Sequence, residues 1–336
     1  MDPFVAVQVQ SIIEDLRLLE AFVTAPLGLH SDIRMLRQSV PLPEAADLSH
    51  DENRLRRAAY SKLSDDPARL ALDMAGHLEA SLAVLEASNG VADQPLSAEW
   101  TERARRVLAR AVQRVAGDLR AETAVRVRGL YVIVDPDATN GRPVLEVAGL
   151  ALKGGAGVIQ LRDKVHATVD VLSMARQLKA LCDDNGALFI MNDEPAAALA
   201  SEAHGLHVGQ SDMPVGEVRR VLDHRQIVGR SNNSMDEVAD SLSLGVDYVA
   251  VGAIYPTVSV GKAERPVVGV EMIGRVKQVA DQPVVAIGGI NVDNVAEVMR
   301  AGADCVCVVS AVTTALDPKS AAEALAEAII NAKNQV

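Results

Sequence analysis

The stretch Pro283-Val-Val-Ala-Ile-Gly-Gly-Ile-Asn291 decides the fold. Val284 to Ile287 reads as a short apolar strand that ends in Gly288-Gly289. A helical stretch from Val292 to Arg300 follows, and then a second apolar strand in Cys305-Val-Cys-Val-Val-Ser310. Paired glycines at the C-terminal end of a parallel strand let backbone N–H groups approach an anion closely. The same pair also serves as a plain tight turn. In (β/α)₈ barrels the loops after strands seven and eight commonly hold a phosphate. The last third of the chain thus predicts both a barrel and a phosphorylated ligand.

The same grammar extends back to about residue 128. Short β-branched runs alternate with amphipathic helical stretches, the signature of βαβ units. Strands are expected at Leu130 to Asp135, Gly157 to Leu161, Leu188 to Asn192, Gly205 to Val208, Ile227 to Gly229, Asp247 to Gly252, Val284 to Ile287 and Cys305 to Val309. Eight such units fit an α/β fold of the (β/α)₈ TIM-barrel type. An open doubly wound sheet is the competing topology. It is weakened because the first strand lacks the G-x-G-x-x-G turn of a dinucleotide site.

Residues 1–127 read differently, as an all-helical N-terminal domain of unknown role; residues 128–336 form the barrel. Ile12, Ile13, Leu16, Leu19 and Phe22 recur at helical spacing, and Pro67 to Leu85 and Leu96 to Val125 repeat the pattern. Pro67 suits a first helical turn capped by Asp65 or Asp66. Val40 to Asn53 looks like a loop. Arg103, Arg105, Arg106, Arg110 and Arg114 read as a solvated helix face rather than a site for an acidic partner.

Composition narrows the function. The 336 residues are 49% hydrophobic but only 2% aromatic, so the core must be aliphatic, as in a sheet buried on both faces. A net charge of −12 argues against binding nucleic acid. No run is apolar enough to span a membrane, and the N-terminus lacks signal-peptide grammar. Cys182, Cys305 and Cys307 have no metal-ligand spacing, so a reducing, cytoplasmic setting is expected. Self-association into a homo-oligomer stays open.

Barrel ligands sit where strands end on the C-terminal side, and here those ends are polar. Alternation puts Gln160, Arg162 and Lys164 on one face, an amide and two cations suited to a polyanion. Asp193 and Asp212 follow strands three and four. Two carboxylates beside cations can hold Mg²⁺ together with phosphate and water; the competing role for each is a helix cap. His207, mid-strand, reads as a buried, hydrogen-bonded histidine. Ser231-Asn232-Asn233 offers small polar groups; Thr257 to Lys262 lies in a hydroxyl- and glycine-rich loop of a kind that closes over substrates, although by itself the segment reads better as a surface loop without a role.

Gln160-Leu-Arg-Asp-Lys164, Asn192-Asp193, Gly205-Leu-His-Val-Gly-Gln210 with Asp212, Gly252-Ala-Ile-Tyr-Pro-Thr257 and Ile287-Gly-Gly-Ile-Asn291 together resemble thiamine-phosphate synthase, over about residues 128–333. The resemblance implies a (β/α)₈ transferase of thiamine biosynthesis. It would join 4-amino-2-methyl-5-hydroxymethylpyrimidine diphosphate to 4-methyl-5-(2-phosphoethyl)thiazole, with Mg²⁺ as cofactor. It assigns Gln160, Arg162, Lys164, Asn192 and Ser231 to the pyrimidine diphosphate, and Asp193 and Asp212 to the metal. It further assigns Thr257 and Ser259 to the thiazole phosphate and diphosphate, and Gly289, Val309 and Ser310 to the thiazole phosphate. The family loop usually reads Thr-x-Thr-Lys; here Ser259 and Val260 stand in the last two places, and Lys262 is the candidate to replace the lysine catalytically. Alternatives are a thiazole tautomerase-like barrel or a non-catalytic ligand-binding homologue. A phosphosugar isomerase or epimerase barrel is disfavoured, because paired His and Asp ligands are not seen at its strand ends.

Overall fold

The structure is a computed structural model that describes residues 3–22, 29–40, 67–87, 96–257 and 266–334. The chain divides into two compact units, Met1–Leu119 and Arg120–Val336.

In the first unit four helices are described: α1 (Pro3–Phe22), α2 (His30–Gln38), α3 (Pro67–Ala87) and α4 (Ala98–Ala124), the last running on past Leu119. Ile12, Leu16 and Leu19 of α1 are buried with Ile33 and Leu36 of α2, Met74 and Leu78 of α3, and Leu108 of α4. The helical spacing of these aliphatic residues is what lets each helix turn one stripe inward. Trp100 Nε1 donates to Ser39 Oγ at 3.0 Å, so the indole has its polar partner. Arg103, Arg105, Arg106, Arg110 and Arg114 are all exposed. Arg105 pairs with Glu86 at 2.6 Å and Arg110 with Asp32 at 3.6 Å, while Arg106 pairs with Glu102 one turn away. Most of the expected 40–53 loop lies outside the described residues.

The second unit is a closed parallel barrel with strands in chain order. They are β1 (Gly129–Val134), β2 (Ala156–Leu161), β3 (Leu188–Asn192), β4 (Gly205–Val208), β5 (Ile227–Asn232), β6 (Tyr248–Val251), β7 (Val284–Ile287) and β8 (Cys305–Val308). The doubly wound alternative is thereby excluded, because β1 pairs with both β2 and β8. Alternation along each strand sorts the core into two layers. On β1, Leu130, Val132 and Val134 pack outward with the helices, while Tyr131 and Ile133 fill the interior. Cys305 and Cys307 join that interior layer, unpaired and buried.

One strand runs longer than its sequence suggests. β5 continues three residues past Gly229, through Arg230, Ser231 and Asn232. These polar residues look like the start of a loop, but the strand carries Ser231 and Asn232 to the cleft, while Arg230 pairs with Asp240 of the following helix. Asn232 is buried, donating to the carbonyls of Arg230 and Ala250 and accepting from Ser241.

At the other end of the barrel, the residues before β1 contribute to the seal. Ala124 and Val127 pack into the interior cluster. Asp247 accepts from Arg120 Nε at 3.0 Å, from Arg219 and from the Val228 amide at 2.7 Å. Taking away one cation would leave a buried carboxylate short of a partner, a change that typically costs several kcal/mol. The barrel unit therefore includes residues 120–127, ahead of its first strand.

Candidate active site

The sequence-predicted site residues that are described lie at the C-terminal ends of the strands or in the loops that follow them. They form two groups. The first comes from β1 to β4 and is charged. Arg162 follows β2, and its guanidinium pairs with Asp135 at the end of β1. Asp135 is 3% exposed and also accepts from the Asp137 amide at 3.0 Å, which fixes its carboxylate. Asp135 was not singled out from sequence. Its signal was a carboxylate directly after β1, one strand away from the Gln-Leu-Arg-Asp-Lys run.

Between the two cations, Asp163 folds the chain back. Its carboxylate accepts from the amides of Val165 and His166, both at 3.0 Å. Lys164 then reaches Asp193 with Nζ–Oδ2 at 2.8 Å. Asp193 has φ of 59°, a left-handed conformation that few non-glycine residues adopt and that aspartate tolerates better than most. Burial first, and the neighbouring Asp212 carboxyl after it, push the Asp193 carboxyl above its ordinary value, with Lys164 opposing. Asp212 is oriented by the Gly209 amide, which donates to Oδ2 at 2.6 Å.

Helix capping does not account for either aspartate. The helix after β3 starts at Pro195 with Glu194 at its cap, and the helix after β4 starts at Val215 with Pro214 there. Neither cap uses a side chain. Two half-buried carboxylates held against one another, with two cations alongside, are a donor set that fits Mg²⁺, which takes one or two carboxylates and leaves its other positions to water or phosphate. Among the described residues no group of three or more His, Cys, Asp or Glu could hold a metal, so a closed all-protein cage is not what this site offers.

The second group comes from β5 to β8 and is nearly neutral. Ser231, Thr257, Gly289, Val309 and Ser310 line one open cleft. Gly289 has φ of 65°. A Cβ there would lie 2.7 Å from the Pro256 carbonyl oxygen and 2.8 Å from Tyr255 Cβ. Glycine is thus required twice, by its backbone conformation and by the close approach of the loop after β6. Ser310 opens a short helix, Ser310–Thr313, directly after β8. Asn192 ends β3 in register with His207. Gln160 points into the interior, 2% exposed, with Nε2 donating to the Tyr131 hydroxyl at 2.7 Å. Ser259, Val260 and Lys262 lie outside the described residues.

Fold and site together define a (β/α)₈ barrel enzyme with a charged half-site and a glycine-lined half-site on one face. The sequence profile of thiamine monophosphate synthase matches residues 130–312. A thiamine-phosphate synthase of Shouchella clausii is 43% identical over 60% of this chain and 95% of its own length. One from Moorella thermoacetica is 42% identical over 61% of this chain and 98% of its own. The solved thiamine phosphate pyrophosphorylase of Pyrococcus furiosus superposes with a TM-score of 0.58 at 33% identity, covering 62% of this chain and 98% of that one. The chain belongs to the thiamine monophosphate synthase family. Its place is in thiamine biosynthesis, as a transferase. The family match spans residues 130–312 and does not include the first unit.

Proposed function

We propose that this barrel transfers the 4-amino-2-methylpyrimidin-5-ylmethyl group from its diphosphate to 4-methyl-5-(2-phosphoethyl)thiazole. The products are thiamine phosphate and pyrophosphate. The bond from the pyrimidine methylene to the diphosphate oxygen breaks, and its electron pair leaves with pyrophosphate. The aminopyrimidine ring spreads the resulting positive charge. The thiazole nitrogen lone pair then forms the new C–N bond, and no proton need be lost. Nothing in this scheme requires a protein nucleophile. The protein's task is to align the two substrates and stabilise the departing charge.

The observation that carries this reading is the balance of charge at the ends of β1 to β4. Asp135, Asp193 and Asp212 stand there against Arg162 and Lys164. With more carboxylates than cations, this group would repel a diphosphate unless a further cation came with it. Asp193 and Asp212 would hold Mg²⁺, which supplies the missing charge when the diphosphate binds. Arg162, kept in place by Asp135, offers two parallel N–H donors to phosphate oxygens, and Lys164 adds a point charge. Gln160, Asn192 and Ser231 serve the pyrimidine diphosphate. Thr257 and Ser259 serve the thiazole phosphate and the diphosphate. Gly289, Val309 and Ser310 bound the thiazole phosphate pocket. Lys262 takes the part of the family lysine absent at Val260.

The unpaired, buried cysteines support a reducing cytoplasmic setting. Among the described residues no helix is long and apolar enough to cross a membrane. The test is direct. The full chain, given both substrates and Mg²⁺, should release thiamine phosphate and pyrophosphate in equal amounts. Absence of product with either substrate order and saturating Mg²⁺ would overturn the assignment.

A further inference from the structure

Five polar side chains from five strands form one hydrogen-bonded chain across the barrel interior. Gln160 Nε2 donates to Tyr131 at 2.7 Å, and the Tyr131 and Tyr248 hydroxyls lie 3.3 Å apart. Tyr248 is 3.0 Å from His207 Nδ1, and His207 Nε2 is 2.8 Å from Ser231 Oγ. Gly229 makes room for it. A Cβ at that position would lie 1.9 Å from Tyr248 Cζ, so only glycine lets the ring lie flat across β5. His207 stacks on the same ring, with centroids 5.7 Å apart.

The chain has a direction. The Gln160 amide nitrogen faces Tyr131, so the Tyr131 oxygen accepts there, and passing its own proton to Tyr248 is the arrangement that leaves neither buried hydroxyl hydrogen without an acceptor. Burial pushes both phenols above their ordinary range, which keeps both protons available to donate. Tyr248 accepts from Tyr131 and therefore donates to His207 Nδ1. An imidazole that accepts at Nδ1 carries its proton on Nε2. That proton points at Ser231 Oγ, and the Ser231 proton is left to turn toward the cleft that Ser231 lines.

We infer that Tyr248 and His207 are positioning residues that lock the Ser231 hydroxyl as a hydrogen-bond donor to an acceptor atom of the pyrimidine substrate. This rests on the assignment of Ser231 to the pyrimidine diphosphate in the proposed function. The acceptor is a ring nitrogen or a diphosphate oxygen. Reversed polarity would instead make Ser231 an acceptor, unable to bond either. Gly229 and Tyr248 then belong to substrate selection, although neither needs to touch substrate.

The test reads the tautomer first. The full chain labelled with ¹⁵N-histidine, free of substrate, is examined by long-range ¹H–¹⁵N correlation. His207 is picked out from the seven histidines by its loss in His207→Gln. Wild type should show Nε2–H with an unprotonated Nδ1, and Tyr248→Phe a mixture of both tautomers. Tyr248→Phe should also raise KM for the pyrimidine diphosphate about tenfold, the scale of one lost hydrogen bond to a substrate, with KM for the thiazole phosphate unchanged. His207→Gln, whose amide can still donate to Ser231, should retain more pyrimidine affinity than His207→Ala. Binding of the unphosphorylated pyrimidine alcohol and of inorganic pyrophosphate locates the acceptor, because Tyr248→Phe should weaken one of them. An Nδ1–H tautomer in wild type, or unchanged binding of both probes in Tyr248→Phe, overturns the inference. An enzyme that makes no thiamine phosphate overturns the assigned reaction instead, and the tautomer measurement still stands.

Discussion

The two halves of the strand-end face are built by different means. From β1 to β4 the site is built from charged side chains whose positions depend on one another, Arg162 on Asp135 and Lys164 on Asp193. From β5 to β8 it is built from backbone, hydroxyls and a glycine that admits no Cβ. The charged half should therefore respond to metal, pH and charge deletion. The backbone half should respond to steric change and be nearly indifferent to charge. That division suits the proposed reaction. A leaving diphosphate gains charge as its bond breaks, whereas the thiazole phosphate only has to be held.

Deleting a donor to the developing charge should have the largest effect. Arg162→Ala is expected to lower kcat by about 10²–10³-fold, with KM for the thiazole phosphate unchanged. Steady-state kinetics with each substrate varied in turn checks this, and a matching rise in the thiazole KM would blur the two halves into one. Asp135→Asn comes next. It removes the charge that holds Arg162 while keeping the side chain's shape. A loss of roughly 10–100-fold in kcat/KM for the pyrimidine substrate is expected, as when an orienting partner of a binding residue is lost.

Gly289→Ala probes the other half. The structure points to a collision with Tyr255 and Pro256 rather than with bound phosphate alone. The expected cost is about 1–3 kcal/mol of overpacking, seen in urea unfolding, together with a weaker thiazole phosphate. Equal weakening of both substrates would blur the division.

How much of this was legible in the sequence follows from what each residue interacts with. Strand positions and the barrel were readable because Val, Ile and Leu alternate with clear turns; alternation carried past Gln160 to Arg162 and Lys164 runs beyond the strand, which ends at Leu161. β5 looked three residues shorter, because Arg230, Ser231 and Asn232 are polar: Ser231 and Asn232 line the cleft, and Arg230 pairs with Asp240 of the next helix. Asp135 escaped notice because its importance lies in a partner 27 positions away, just past the neighbouring strand. The Tyr131–Tyr248 contact, between β1 and β6 across the interior, carries no local signal at all. In the first unit the helices were legible from their apolar spacing, but no motif there pointed to chemistry.

A smaller effect separates the halves by pH. Asp193 is held above its ordinary value, chiefly by burial and then by Asp212. Its ionisation in the folded protein is therefore unfavourable. Without divalent cation, stability should fall as pH rises from the ordinary carboxylate value of 3.8 through the raised one. Asp193→Asn tolerates the left-handed backbone and removes that penalty. It should match wild type at the acid end and exceed it near neutrality, in urea midpoints measured across pH without Mg²⁺. A stability difference that does not change with pH would contradict the raised carboxyl of Asp193.

The most direct test of the division titrates inorganic pyrophosphate and the thiazole phosphate separately into the full chain by calorimetry, with Mg²⁺ and again with EDTA. Chelation should abolish pyrophosphate binding and leave thiazole phosphate binding within a factor of about two, because only the charged half needs an added cation. Pyrophosphate binding that survives EDTA, or the same loss for both ligands, would contradict the account.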